Sequence, residues 1–198
     1  MAVSVIPTLD LERAIAEQGY DVIVGFDEVG RGSLAGPVMV GAAAIWARDL
    51  YGAAGASQGG SQESSPLEVP KGVADSKMLT EHKREAIFDE LKSWCASWAV
   101  GTASNTEIDE WGISYALGVA ALRALAEAER KLGIGGGESA GIAGSSESSE
   151  ALNNLKIGAI LDGPNDYITK ALNTFDAPDV TIPADVTCKV KGDRHCAT

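Results

Sequence analysis

No stretch of this chain approaches the roughly 20 consecutive apolar residues that a membrane-crossing helix needs, so a membrane role is not expected. The first twenty residues, MAVSVIPTLDLERAIAEQGY, have neither a basic opening nor a continuous apolar run, and no secretory signal is read there. Cysteine is scarce: Cys95, Cys188 and Cys196 are an odd set without metal-ligand spacing. A disulfide framework is therefore not expected, and the three read as reduced thiols of a cytoplasmic protein. Positive charge is short as well, with 16 Lys and Arg against 28 Asp and Glu and a formal net charge of −12. That balance argues against nucleic-acid binding, which usually leaves a basic footprint. Five of the 28 acidic residues, however, lie in 62–68 and 138–150, away from the patterned regions, and a carboxylate metal site is acidic by construction.

What the chain does have is one dense motif, GFDEVGRGSLAGPV, from Gly25 to Val38. It sets Asp27 and Glu28 at the end of an apolar strand, followed at once by Gly30-Arg31-Gly32. Adjacent carboxylates repel unless a cation sits between them, which points to a divalent metal. Glycine lets the backbone approach a ligand closely, and arginine offers a planar donor fork suited to phosphate. Together they indicate phosphodiester chemistry. The run lacks a Walker lysine with its Ser/Thr, so a nucleotide triphosphatase is not expected.

At 198 residues and 45% hydrophobic content, one domain with a sizeable core is expected. Two Gly-, Ala- and Ser-rich stretches, 52–66 and 133–150, carry no hydrophobic period and read as flexible insertions in that domain. Between them the pattern predicts strands over 21–26, 38–46, 97–103, 157–161 and 186–190. It predicts helices over 81–94, capped by Thr80 with Ile87, Phe88, Leu91, Trp94 and Cys95 on one face, and over 114–131, with Thr106 capping the turn before it. Hairpin strands followed by helix-linked strands give a mixed α/β sheet with helices on its faces.

Acidic residues recur at the strand ends: Asp27 with Glu28, Asp162 in Asp162-Gly163-Pro164, and Asp193 in Lys191-Gly192-Asp193. If strands 21–26 and 157–161 are parallel neighbours, Asp27 and Asp162 face one site beyond their carboxyl ends. Four carboxylates can hold two divalent cations for in-line phosphodiester displacement. An aspartate before Gly-Pro is also ordinary turn chemistry, and Asp166, Asp179 and Asp185 compete with Asp193. His82 reads as a solvated helix residue and His195 as a surface histidine. Trp94, Trp98 and Trp111 read as packing residues, and Lys189 and Lys191 as candidates for backbone contacts with nucleic acid.

The Gly25–Val38 run resembles the first motif of the ribonuclease HII family, the type 2 ribonucleases H. Ala74-Asp75-Ser76-Lys77 resembles that family's DSK motif, Glu107-Ile108-Asp109 its EID motif, and the DG and KGD above complete the series in order. The resemblance covers most of Asp21–Asp193 apart from the two insertions. It implies a ribonuclease H-like fold, with a five-stranded mixed sheet whose first strand is central. It implies that Asp27, Glu28, Asp162 and Asp193 are catalytic and hold Mn²⁺ or Mg²⁺, and that Gly30, Arg31 and Gly32 contact nucleic acid around the ribonucleotide, with Ser76 and Lys77 on phosphate. The implied activity cuts the RNA strand of RNA–DNA hybrids, and 5′ of ribonucleotides embedded in duplex DNA, in a monomeric enzyme. The family continues past the position of Thr198 with a helix and a further segment, so the chain is expected to be C-terminally truncated. Two other functions remain open on the same residues: a hybrid-binding chain without turnover, and a related nuclease acting on DNA.

Overall fold

The computed structural model describes residues 7–33, 35–52, 65–74, 76–135, 154–174 and 177–189. Most of both Gly/Ser-rich stretches, and Asp75, Lys191, Asp193 and His195, lie outside the described residues.

Five strands form one sheet: β1 (Val22–Val29), β2 (Val38–Trp46), β3 (Ser97–Ala103), β4 (Ile157–Asp162) and β5 (Asp185–Lys189). Their spatial order is β3-β2-β1-β4-β5. The β1/β2 and β2/β3 pairs are antiparallel; β1/β4 and β4/β5 are parallel. β1 is central because Val22 through Phe26 form a continuous apolar run, buried throughout, as a strand covered on both faces must be. β3 reads differently: its burial alternates strictly, with Trp98 and Val100 exposed, because one of its faces is open.

The pleat sorts β1 into two cores. Val22, Val24 and Phe26 join the larger cluster, under helices α4 (Ile113–Leu132) and α5 (Tyr167–Leu172). Ile23 joins a smaller cluster with Ile45 and Ile160 beneath α1 (Asp10–Ala16). α4 carries most of the first core. Its Leu117, Leu122 and Leu125 are almost fully buried, each stabilising by about 1.5–3 kcal/mol. Its alanines let it lie close on β2 and β3: a Cβ added at Gly101 of β3 would overlap the Ala120 carbonyl. Gly133, in left-handed conformation, ends the helix.

The remaining helices are held by caps. α2 (Glu81–Trp94) begins as expected at Thr80, whose hydroxyl accepts from Lys83 N at 3.4 Å. Its apolar face is shallower than its period suggests. No α2 residue is fully buried, and Phe88 is 54% exposed with the Lys92 ammonium 4.6 Å over its ring. α3 (Asn105–Trp111) is capped by Ser104 rather than Thr106, through a capping box in which Ser104 and Glu107 satisfy each other's backbone N–H. Among the described residues, no helix is long and apolar enough to cross a membrane.

Candidate active site at the carboxyl ends of β1 and β4

Parallel pairing of β1 with β4 runs from Val22↔Ile157 to Phe26↔Leu161, so the next residues, Asp27 and Asp162, are neighbours across the two strand ends. The pleat also gives them one face. Asp27 follows Ile23 and Gly25 in alternation, and Asp162 follows Ile160, all on the α1 side. Lys189 of β5 stands opposite Asp162 in register, and Gly163 N donates to the Lys189 carbonyl at 3.0 Å, closing the turn.

Glu28 goes the other way. It follows Val24 and Phe26 onto the α5 face, where both carboxylate oxygens are engaged. Arg31 Nη1 lies 3.3 Å from Oε1, and the Tyr167 hydroxyl donates to Oε2 at 3.3 Å. Burial and the negative charges of Glu28 and Asp27 push the Tyr167 pKa well up, against the Arg31 guanidinium, so this hydroxyl keeps its proton and acts as a donor. Among the described residues no three His, Cys, Asp or Glu side chains come together closely enough to hold a metal ion. Asp193 lies outside that set. The donor chemistry nevertheless suits a hard divalent cation, since Asp27 and Asp162 offer carboxylate oxygens from adjacent strand ends.

The two glycines of Gly30-Arg31-Gly32 are glycine for different reasons. Gly30 has φ +95°, and an added Cβ would lie 2.7 Å from the Pro37 carbonyl oxygen, so the turn into β2 requires it. Around Gly32 nothing lies within 4 Å of an added Cβ, and its backbone is not left-handed; the fold does not require glycine there. Arg31, its side chain 53% exposed, stands between two open clefts. One, of about 350 Å³, is bordered by Tyr115, Asn165, Tyr167 and Lys170. The other, of about 110 Å³, is bordered by Gly30, Gly36, Asn105 and Asp109.

The EID residues divide their roles. Asp109 borders the smaller cleft, whereas Glu107 is tied into α3 and α4. Besides its cap, Glu107 accepts from both terminal nitrogens of Arg123, the closer at 2.7 Å, and these donors hold its carboxyl down to about 2. Ser76 and Lys77 lie in an exposed 3₁₀ turn, Ser76–Met78, and border neither cleft. Two of the competing aspartates have other partners: Asp166 N-caps α5 by accepting from Thr169 N at 2.8 Å, and Asp185 accepts from the Tyr20 hydroxyl at 2.9 Å. The described cysteines, Cys95 and Cys188, are free thiols, and burial pushes that of Cys95 up to about 11. Tyr167 and Lys170 were not expected from sequence. The signal was the i, i+3 spacing that follows the turn at Asp162-Gly163-Pro164 with its Asp166 cap.

No protein-family model matches the chain. It is 34% identical over 191 residues to ribonuclease HII of Streptomyces avermitilis, covering 96% of this chain and 58% of that protein. It is 41% identical over 120 residues to ribonuclease HII of Streptomyces coelicolor, covering 60% of this chain and 43% of that one. The chain thus matches between about two-fifths and three-fifths of the length of these relatives. Among solved structures, Bst-RNase HIII in complex with Mn²⁺ superimposes with a TM-score of 0.51 at 21% identity, over 90% of this chain and 48% of that one. At that identity the likeness supports the fold, a five-stranded mixed sheet of ribonuclease H type.

Proposed function

Since the chain belongs to the ribonuclease HII family, we propose that it is the single catalytic domain of a metal-dependent endoribonuclease. It hydrolyses the RNA strand of RNA–DNA hybrids and cuts 5′ of ribonucleotides embedded in duplex DNA, as a monomer in the cytoplasm. The observation that carries the reading is that Asp27 and Asp162 directly follow the last paired residues, Phe26 and Leu161, of two parallel strands, beside an exposed arginine and a glycine the fold does not need.

Asp27, Glu28 and Asp162, with Asp193, would hold Mn²⁺ or Mg²⁺. Such a cation supplies Lewis acidity at the phosphodiester and a lowered pKa for the attacking water. The chain's own residues bind and orient the strand. Arg31, reaching both clefts, meets backbone phosphate, and Lys170 adds positive charge along the larger cleft. At Gly32 the main chain has open space before it, room for a ribose to approach and for the backbone to meet its 2′-hydroxyl. A formal charge of −12 is compatible with this because the cations that matter are local, whereas part of the acid lies in 62–68 and 138–150.

The test is cleavage of a labelled hybrid, and of a duplex carrying one ribonucleotide, with Mn²⁺, Mg²⁺ or EDTA. Asp27→Asn and Asp162→Asn are each expected to reduce cleavage to the EDTA background while leaving the circular dichroism spectrum unchanged. Turnover by Asp162→Asn equal to wild type would place the chemistry elsewhere. Binding without cleavage by the wild-type chain would instead favour a hybrid-binding role.

A further inference from the structure

Glu28 is the one member of the acidic set described that is directed away from the others. The pleat sends it to the α5 face, and it is held there on both oxygens by groups from different parts of the fold. Tyr167 belongs to α5, is only 6% exposed, and is fixed by packing in the larger core. Arg31 belongs to the turn after β1, and its side chain is 53% exposed. One partner is buried and neutral, the other solvent-accessible and charged.

Building on the metal reading above, we propose that Tyr167 and Arg31 form a clamp that keeps Glu28 turned away from Asp27 and Asp162, and that nucleic-acid phosphate opens it by drawing Arg31 off. Arg31 cannot give the same N–H to Glu28 and to a phosphate. When phosphate takes it, Glu28 keeps only the long hydrogen bond from Tyr167 and can turn toward the strand ends. Metal binding without substrate is therefore weakened by the fraction of molecules in which Glu28 is clamped. Nucleic acid and metal bind with positive linkage, each raising the affinity of the other. Tyr167 acts as a positioning residue in this scheme, with no contact to the reacting atoms.

The measurement is the Mn²⁺ dissociation constant without nucleic acid, by calorimetry or by the electron paramagnetic resonance signal of the free ion. It is made on wild type, Tyr167→Phe, Glu28→Gln and the double variant. Tyr167→Phe changes no charge, so any effect on affinity comes through what the hydroxyl holds. It is expected to tighten Mn²⁺ binding about three- to tenfold, the range for losing one hydrogen bond of ordinary net strength, as suits a bond of 3.3 Å. On the Glu28→Gln background the same substitution is expected to change nothing, because the double-mutant cycle isolates the pair. Arg31→Gln is expected to tighten binding too, with part of its effect surviving in Glu28→Gln because a unit charge has been removed. Unchanged or weaker binding by Tyr167→Phe would overturn the clamp and leave the metal reading standing. Tighter binding that persists on the Glu28→Gln background would also overturn it. No Mn²⁺ binding by wild type would overturn the metal reading and the clamp with it.

Discussion

Gly30 and Gly32 flank the same arginine, yet alanine is expected to act oppositely at the two positions. At Gly30 alanine must occupy φ +95° with its Cβ 2.7 Å from the Pro37 carbonyl oxygen. The left-handed backbone costs about 1–2 kcal/mol, and crowding a fixed backbone atom costs about another 1–3 kcal/mol. Gly30→Ala should therefore lose about 2–5 kcal/mol of stability, or about 4–20 °C in Tm for a chain of this size. At Gly32 there is open space and no left-handed backbone. Alanine there restricts the unfolded chain and should leave stability unchanged or raise it by up to about 1 kcal/mol. Urea unfolding gives both values, provided the m-value is constant. The same proteins are then titrated with matched duplexes, with and without a single 2′-hydroxyl. Gly32→Ala, and more strongly Gly32→Val, should lose preference for the ribonucleotide duplex while the fold stays intact. A Gly32→Ala protein destabilised by more than about 1 kcal/mol would show that the fold needs this glycine. Full discrimination by Gly32→Val would show that the ribose is read elsewhere.

Two further outcomes concern residues outside the clefts. Glu107 has a folded pKa of about 2, below its unfolded value, so its contribution is present above the unfolded pKa and is lost as pH falls toward 2. Glu107→Gln should cost about 1–2 kcal/mol at pH 7, since its side chain is 22% exposed and solvent weakens the Arg123 pair; in urea unfolding that difference from wild type should shrink between about pH 4.5 and 2. Glu129, buried in α4, accepts from the N–H groups of Thr181 and Ile182 at 2.8 and 2.9 Å. Glu129→Ala leaves two amides without that acceptor and should cost about 2–4 kcal/mol, with faster hydrogen exchange in 177–189 as the local readout.

The strands were readable where burial imposes a period. The ends of β2, β3 and α2 coincide with the sequence expectation because alternation, a Thr cap and a Gly-Pro turn mark them. β1 runs three residues further than its apolar run, to Val29, because β2 pairs with Asp27, Glu28 and Val29 although two of them are poor strand formers. α1 and α5, of seven and six residues, were not expected, being too short to show a period. The opposed facing of Asp27 and Glu28 follows from period-two alternation once the strand extends through them. Reading the strand as ending at Phe26 concealed it. Trp98 was expected to pack in the core but lies 38% exposed, because nothing in a single strand's alternation tells which face a helix will cover.

The central place of β1 has a consequence for how the chain is made. Its antiparallel neighbour β2 is close to it in sequence, while its other edge pairs only with β4, 135 residues on at the contact of Asp21 with Lys156. In vectorial synthesis the β1–β2–β3 meander and α4 come off the ribosome first, and contacts of short sequence separation form fastest. Until residue 162 emerges, β1 is therefore an edge strand, with unpaired amides along its apolar run Val22–Phe26 exposed on that side. The paired carboxylates do not exist before that edge is closed. Assembly of the site and closure of that exposed edge are one event, and a slow step there would expose the nascent chain rather than an active enzyme.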